Sequence, residues 1–129
     1  MARTALDITL QEWKNYRPAE AIESRLRANK AQIAKRRRQA WRLARRAANV
    51  LRTGFGAEKV IVFGSLARRD WFTPWSDIDL AVWGVPATRF YEAVDTVVGL
   101  SADFKIDLID PESCRPGLRE AIDREGIAL

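Results

Sequence analysis

Apolar residues fall into two rhythms along the chain, and the change comes at Gly54 and Gly56. Residues 18–53 contain no Gly and, after Pro18, no further Pro. In that stretch Ile22, Leu26 and Ile33 can share a helical stripe, Arg36, Arg37 and Arg38 interrupt it, and Ala40, Leu43, Ala44, Ala47, Val50 and Leu51 resume it. Pro18 suits a first helical turn and the two glycines supply the stop. The pattern predicts one long helix whose second half packs on the body. Its first half is thin in large apolar residues, and is expected to project or to lie across a partner. Ahead of it, Thr9 and Glu12 have the spacing of a capping box and predict a short helix over residues 9–16.

Beyond the glycines, short apolar runs alternate with amphipathic segments. Lys59 to Phe63 (KVIVF) reads as a buried strand, residues 77–83 (DIDLAVW) as a second, and residues 104–109 (FKIDLI) as a third. Residues 88–100 read as a helix with Phe90, Tyr91, Val94, Val97 and Val98 inward. A last helix over residues 116–124 is closed by Gly126. Alternating strands and helices argue an α+β (α/β) fold with about three strands and flanking helices, not a bundle. The expected division is a helical basic arm over residues 1–39 and a folded domain over residues 40–129.

Composition narrows this picture. A chain of 129 residues, 47% apolar and with five Trp, can bury one ordinary core but hardly two. Its apolar runs are strand-sized, and no signal-peptide core opens it, so a soluble cytoplasmic protein without membrane association is expected. The single cysteine, Cys114, has no internal disulfide partner, and no histidine exists to activate it or to share a zinc site. Cys114 therefore reads as a spectator thiol near a turn. Catalysis, if any, falls to carboxylates, Lys or Arg, hydroxyls or metal ions.

The net charge of +5 hides a segregation. Residues 24–53 carry eleven Lys or Arg and no acid, whereas residues 54–129 carry eight basic and thirteen acidic residues. A basic arm is joined to an acidic body.

Within the body, the strand ending at Phe63 runs into Gly64-Ser65 and then a segment able to start a helical turn. A glycine at a strand end lets backbone amides approach a phosphate, and Ser65 and Arg68 can reach the same anion. Alone, that pattern is common. Asp77 and Asp79, two apart on a strand, share a face, with Ile78, Leu80 and Val82 on the buried one. They could simply be exposed acids at a strand's start. Asp107 changes the weighing, because it lies mid-strand where burial is expected and an acid is disfavoured. If its strand lies beside residues 77–83, three carboxylates converge, a donor set suited to Mg²⁺ or Mn²⁺ rather than zinc. The competing reading pairs Asp107 with an arginine such as Arg68.

Gly64-Ser65, eleven intervening residues, Asp77-Ile78-Asp79-Leu80 and later Ile106-Asp107-Leu108 resemble the signature of the DNA polymerase β-like nucleotidyltransferase superfamily. Gly-Ser-Leu-Ala-Arg and Ser-Asp-Ile-Asp-Leu-Ala-Val are similar to its minimal nucleotidyltransferase (MNT) branch over roughly residues 40–129. The resemblance implies that fold with a mixed sheet, two Mg²⁺ ions (Mn²⁺ as substitute) on Asp77, Asp79 and Asp107, and ATP as substrate. It also implies that Asp107 assists deprotonation of the attacking hydroxyl, and that Gly64, Ser65 and Arg68 hold the triphosphate. One departure is the eleven-residue spacing, where many minimal members have ten; the extra residue lies in residues 70–75 and bears on loop shape and substrate fit.

Members of this size resemble antitoxins that attach AMP to a HEPN-type ribonuclease toxin, so the resemblance implies a protein hydroxyl as acceptor. RNA- or small-molecule-directed transfer is the alternative, as is a nucleic-acid-binding module built on residues 24–53. A solvated face or an acidic protein partner would equally tolerate those charges. A catalytically dead interaction protein is the weakest reading, since all three acids are present. Trp71, Phe72 and Trp75 could stack a base, contact a partner, or pack over the strand ends. Nucleotide, acceptor and oligomeric state, a homo-oligomer included, stay open.

Overall fold

The computed structural model describes residues 18–129, so the helix expected over residues 9–16 lies outside the described residues. The chain divides into two compact units, Met1–Gln32 and Ile33–Leu129. In the first, the described residues are helical, and Ile22 and Leu26 are exposed. They belong to helix α1, Pro18–Phe55. Its end is set by Gly56, whose φ of 73° lies in the left-handed region, and by the Ala57 N–H donating back to the Leu51 carbonyl at 3.0 Å. Gly54 is still helical, so only the second of the two expected glycines ends the helix.

The second unit is built on a four-stranded mixed sheet in the order β3-β2-β1-β4. Strand β1 is Lys59–Phe63, β2 is Ile78–Trp83, β3 is Ile106–Ile109 and β4 is Ile127–Ala128. The first pairs antiparallel with both β2 and β4, while β2 and β3 run parallel. Helix α2, Phe90–Val98, makes the crossover that parallel pairing requires, and α3, Pro116–Glu125, precedes β4. The fourth strand exceeds the expected three. Two exposed residues carry no alternation to read. Asp77 lies just before β2, and β3 begins at Ile106, because Phe104 and Lys105 approach it as coil.

Both faces of the sheet are covered. On one, Val60, Val62, Ile78, Leu80, Val82, Ile106 and Leu108 pack with Ala40, Ala44, Ala47, Ala48 and Leu51 of α1 and with Ala93 and Val97 of α2. On the other, Ile61, Phe63 and Ala81 meet Ile122 of α3. Helix α2 is rotated from the expected stripe: Phe90, Ala93, Val94 and Val97 face inward, while Tyr91 and Val98 are exposed. The stripe follows the i, i+3, i+4, i+7 positions from Phe90, which leaves Tyr91 and Val98 one step outside it.

Candidate active site

Each acid reaches the site by a different device. Asp79 is the second residue of β2, and period two places it on the face of Ala81 and Trp83. Parallel register sets Asp79 against Asp107 and Ala81 against Ile109. Antiparallel register sets Asp79 against Phe63, the last residue of β1. The α3-side core thus begins one step further along each strand, at Ala81 and Ile109. The carboxylates occupy the end of the face that α3 leaves uncovered.

Gly64 follows Phe63 and turns over this end with φ 71°. A Cβ there would overlap the Asp79 carboxylate. Only glycine satisfies both demands, a left-handed backbone and the absence of a side chain above the acid. The turn continues as a 3₁₀ helix, Gly64–Leu66, and after an extended Arg68 as a second, Arg69–Trp71. The helical start expected after Ser65 is therefore two single turns. The Ala67 and Arg68 amides already donate to the Gly64 and Ser65 carbonyls, each at 3.2 Å.

Burial raises the pKa of Asp79 from 3.8 to about 6, with the Asp107 and Asp77 charges adding to the rise and Lys105 opposing it. Two like charges thus act on Asp79. Asp107 is less buried than a mid-strand acid was expected to be: its side chain is 42% exposed, and the Lys105 ammonium lies 3.7 Å away. It neighbours the strand's start, where solvent still reaches. Among the described residues no three such groups stand close enough to hold one metal ion as they are. The donor chemistry nonetheless fits a hard divalent cation, since it is all carboxylate with no histidine or thiolate, and charge crowding at Asp79 is what a cation relieves.

Arg68 does not pair with Asp107. Its guanidinium stacks 3.6 Å from the Trp71 ring centroid and lies 3.6 Å from Glu125 of α3. Phe72 is buried in the main core, whereas Trp71 and Trp75 are exposed at 59% and 86%. The aromatic loop thus splits between packing and presentation. A Thr73–Ser76 turn fixes it, with the Thr73 N–H donating to Ser76 Oγ at 2.8 Å.

Sequence reasoning passed over two residues. Arg37 of α1 donates to the Leu66 carbonyl at 3.2 Å and so ties the helix to the Gly-Ser turn. Glu125 holds Arg68. Neither carries a local signal, because each acts across a distance in sequence that only the fold closes. Cys114 is a free, half-buried thiol.

The family model described as "Polymerase beta, Nucleotidyltransferase" matches residues 46–129. The chain belongs to the polymerase beta nucleotidyltransferase family. Accordingly it is a nucleotidyltransferase, and its mixed sheet with flanking helices is the fold of that family. Among solved structures, one of a toxin-antitoxin with AMP-PNP is 21% identical, with a TM-score of 0.53 over 66% of this chain and 70% of that one. A mutant of the toxin-antitoxin MntA-HpeT is 24% identical, with a TM-score of 0.53 over 66% and 69%. A tri-AMPylated Shewanella oneidensis HEPN toxin in complex with an MNT antitoxin gives 19% identity and a TM-score of 0.51 over 69% and 70%. These likenesses are of fold. No curated protein matches the chain. Among the described residues no helix is long and apolar enough to cross a membrane.

Proposed function

We propose that this nucleotidyltransferase moves AMP from ATP to a hydroxyl group on a partner protein, and that the partner is a HEPN-type toxin which the modification neutralises. The observation that supports the site is the seating of Gly64 directly over Asp79, with Asp107 in register beside it. A phosphate-binding turn and a carboxylate cluster then share one strand end. The acceptor is suggested by relatives of the same fold, one with AMP-PNP and one from a complex with an AMPylated HEPN toxin.

In this reading the hydroxyl oxygen attacks the α-phosphorus, the bond to the β-phosphate breaks, and pyrophosphate leaves. Asp77, Asp79 and Asp107 hold Mg²⁺, which when bound supplies charge stabilisation for the transferring phosphoryl group and the leaving group. Asp107 receives the hydroxyl proton, the role its match to the family motif implies, and its partly exposed side chain leaves it open to an incoming acceptor. Gly64 keeps the space above Asp79 open for the triphosphate, and the Ser65 hydroxyl donates to it. Arg68 neutralises the outer phosphates after exchanging Glu125 for them, a change its 39% exposed side chain can make by rotation. The exposed Trp71 and Trp75 border the approach and present aromatic surface to the base or to the acceptor protein.

The test is incorporation of label from α-labelled ATP into a co-purified HEPN protein, with mass spectrometry of the product. An AMP adduct on a hydroxyl side chain, dependent on Mg²⁺ and absent with Asp79→Asn, is expected. A HEPN partner left unmodified by the wild-type protein would sink the acceptor assignment while leaving nucleotidyl transfer to be assayed on other hydroxyls.

A further inference from the structure

A second site lies in the folded unit apart from the acids. Between α1 and the edge strand β4 runs a groove of about 730 Å³, lined by Arg37, Arg38, Trp41, Arg42, Arg45 and the backbone and side chains of residues 127–129. We infer that this groove is a docking site for the phosphate backbone of a single-stranded nucleic acid.

Among the described residues no acidic side chain pairs with the outer arginines of this row. These, Arg38, Arg42 and Arg45, are exposed. An arginine row that served only solubility would be spread around the helix, and an arginine row that served stability would have acids opposite it. Facing it, Ile127 and Ala128 of the strand and the adjoining Leu129 offer no acidic side chain, and the main-chain oxygen of Leu129 is already taken by Arg52 of α1. The spacing suits a polyanion as well. At a rise of about 1.5 Å per residue, Arg38, Arg42 and Arg45 project at intervals of roughly 4.5–6 Å along one helix side, a spacing that successive charged groups of a flexible single strand can follow.

The aromatic in the groove is held ready. Trp41 is half-buried, and the Arg37 and Arg45 guanidinium carbons lie 5.7 Å and 5.6 Å from its ring centroid. A cationic groove with an indole among the charges is the combination by which single strands are held without sequence preference, phosphates on arginine and a base on the ring. An acidic peptide is the other polyanion to consider. Main-chain recognition of a peptide would need a longer edge than β4, which is two residues long and offers few backbone groups for strand addition. Phosphates, which ask only for cationic donors, fit the lining better.

Arg37 also belongs to both sites, since the residue lining the groove donates to the Leu66 carbonyl of the Gly-Ser turn. The docking site is nevertheless independent of the acids, and binding is expected to survive Asp79→Asn.

The experiment is fluorescence anisotropy of the whole chain with labelled twelve-nucleotide oligo(rU) and oligo(dT), titrated at several salt concentrations. Wild-type protein is expected to bind at about 50 mM salt and to weaken steeply as salt rises. The exposed triple variant Arg38→Gln/Arg42→Gln/Arg45→Gln is expected to lose at least about tenfold in affinity, and to lower the slope of log K against log salt by about 2, at roughly 0.7 per phosphate contact. A charge-matched variant outside the groove, Lys35→Gln/Arg46→Gln/Arg115→Gln, should bind within about twofold of wild type. Circular dichroism checks that both variants remain folded. Tighter binding of oligo(rU) or of oligo(dT) identifies the natural strand as RNA or DNA. Absence of binding by the wild type at low salt, or equal loss in both variants, overturns the proposal. So does a glutamate-rich peptide of matched charge that binds the groove as tightly as the oligonucleotides, which would make the occupant an acidic protein.

Discussion

The two faces of the sheet are built to different ends. Under α1 and α2, Val60, Val62, Ile78, Leu80, Val82 and Ile106 form an unbroken apolar layer. On the α3 side the apolar set stops at Phe63, Ala81 and Ile109, and the next positions along β2 and β3 are Asp79 and Asp107. One face is spent wholly on burial, which is the dominant favourable term in folding. The other gives its end to charges that burial opposes. The first face can carry the fold, so the second can hold groups that cost it stability.

Breaking the acid side while leaving the apolar side intact should separate activity from stability. Asp79→Asn is expected to lower transfer by at least about 10³-fold, given that a catalytic metal site contributes several kcal/mol, while the midpoint of urea unfolding stays or rises. Full activity in the purified variant, measured with α-labelled ATP, would remove Asp79 from the site. The opposite break is Leu80→Ala, beside Asp79 but on the other face and fully buried. It should cost about 2–5 kcal/mol in urea unfolding, with the activity of the remaining folded fraction largely preserved.

A smaller effect sharpens the contrast through pH. Asp79 is held near 6 against 3.8 in an unfolded chain, so over that window the folded state keeps a proton that the unfolded state has released. Its contribution to stability therefore falls as pH rises from about 4 to 6 and is constant above. Subtracting the profile of Asp79→Asn from that of the wild type should isolate this slope, and millimolar Mg²⁺ should reduce it. Parallel profiles for the two proteins would refute the crowding of acids at this end. The smallest effect is expected from Glu125→Gln, which releases Arg68: stability should move by no more than about 0.5 kcal/mol, as for partly exposed pairs, while KM for ATP falls or holds.

Legibility in the sequence followed the same division. The α1 stripe from Ala40 to Leu51, strand β1 and the body of β2 repeat every few residues, and such periodicity is readable because one face of each is uniformly apolar. The acids stood out for the complementary reason, as interruptions of that pattern at Asp79 and Asp107. What escaped has no period. Strand β4 is two residues long, α2 is turned by one position because Ala93 rather than Tyr91 fits the core, and Arg37 acts on a carbonyl 29 residues away. Arg68 was expected at the phosphates or on Asp107, and Glu125, which holds it, lies at the far end of the chain.

The alanine seam of α1 sets a limit on how this protein can vary. Ala40, Ala44 and Ala47 are wholly inaccessible and Ala48 nearly so, within the apolar cluster that also holds Leu66. A one-carbon side chain has no rotamer to adjust, so any larger residue at these positions must displace the helix rather than repack. Arg37 hangs from that same helix onto the Leu66 carbonyl, next to the turn that seats Gly64 over Asp79. The seam therefore works as a shim, whose thickness gauges the height of the Gly-Ser turn above the aspartates. Valine or leucine at these positions should therefore disturb the site even though such residues would be at home in any core.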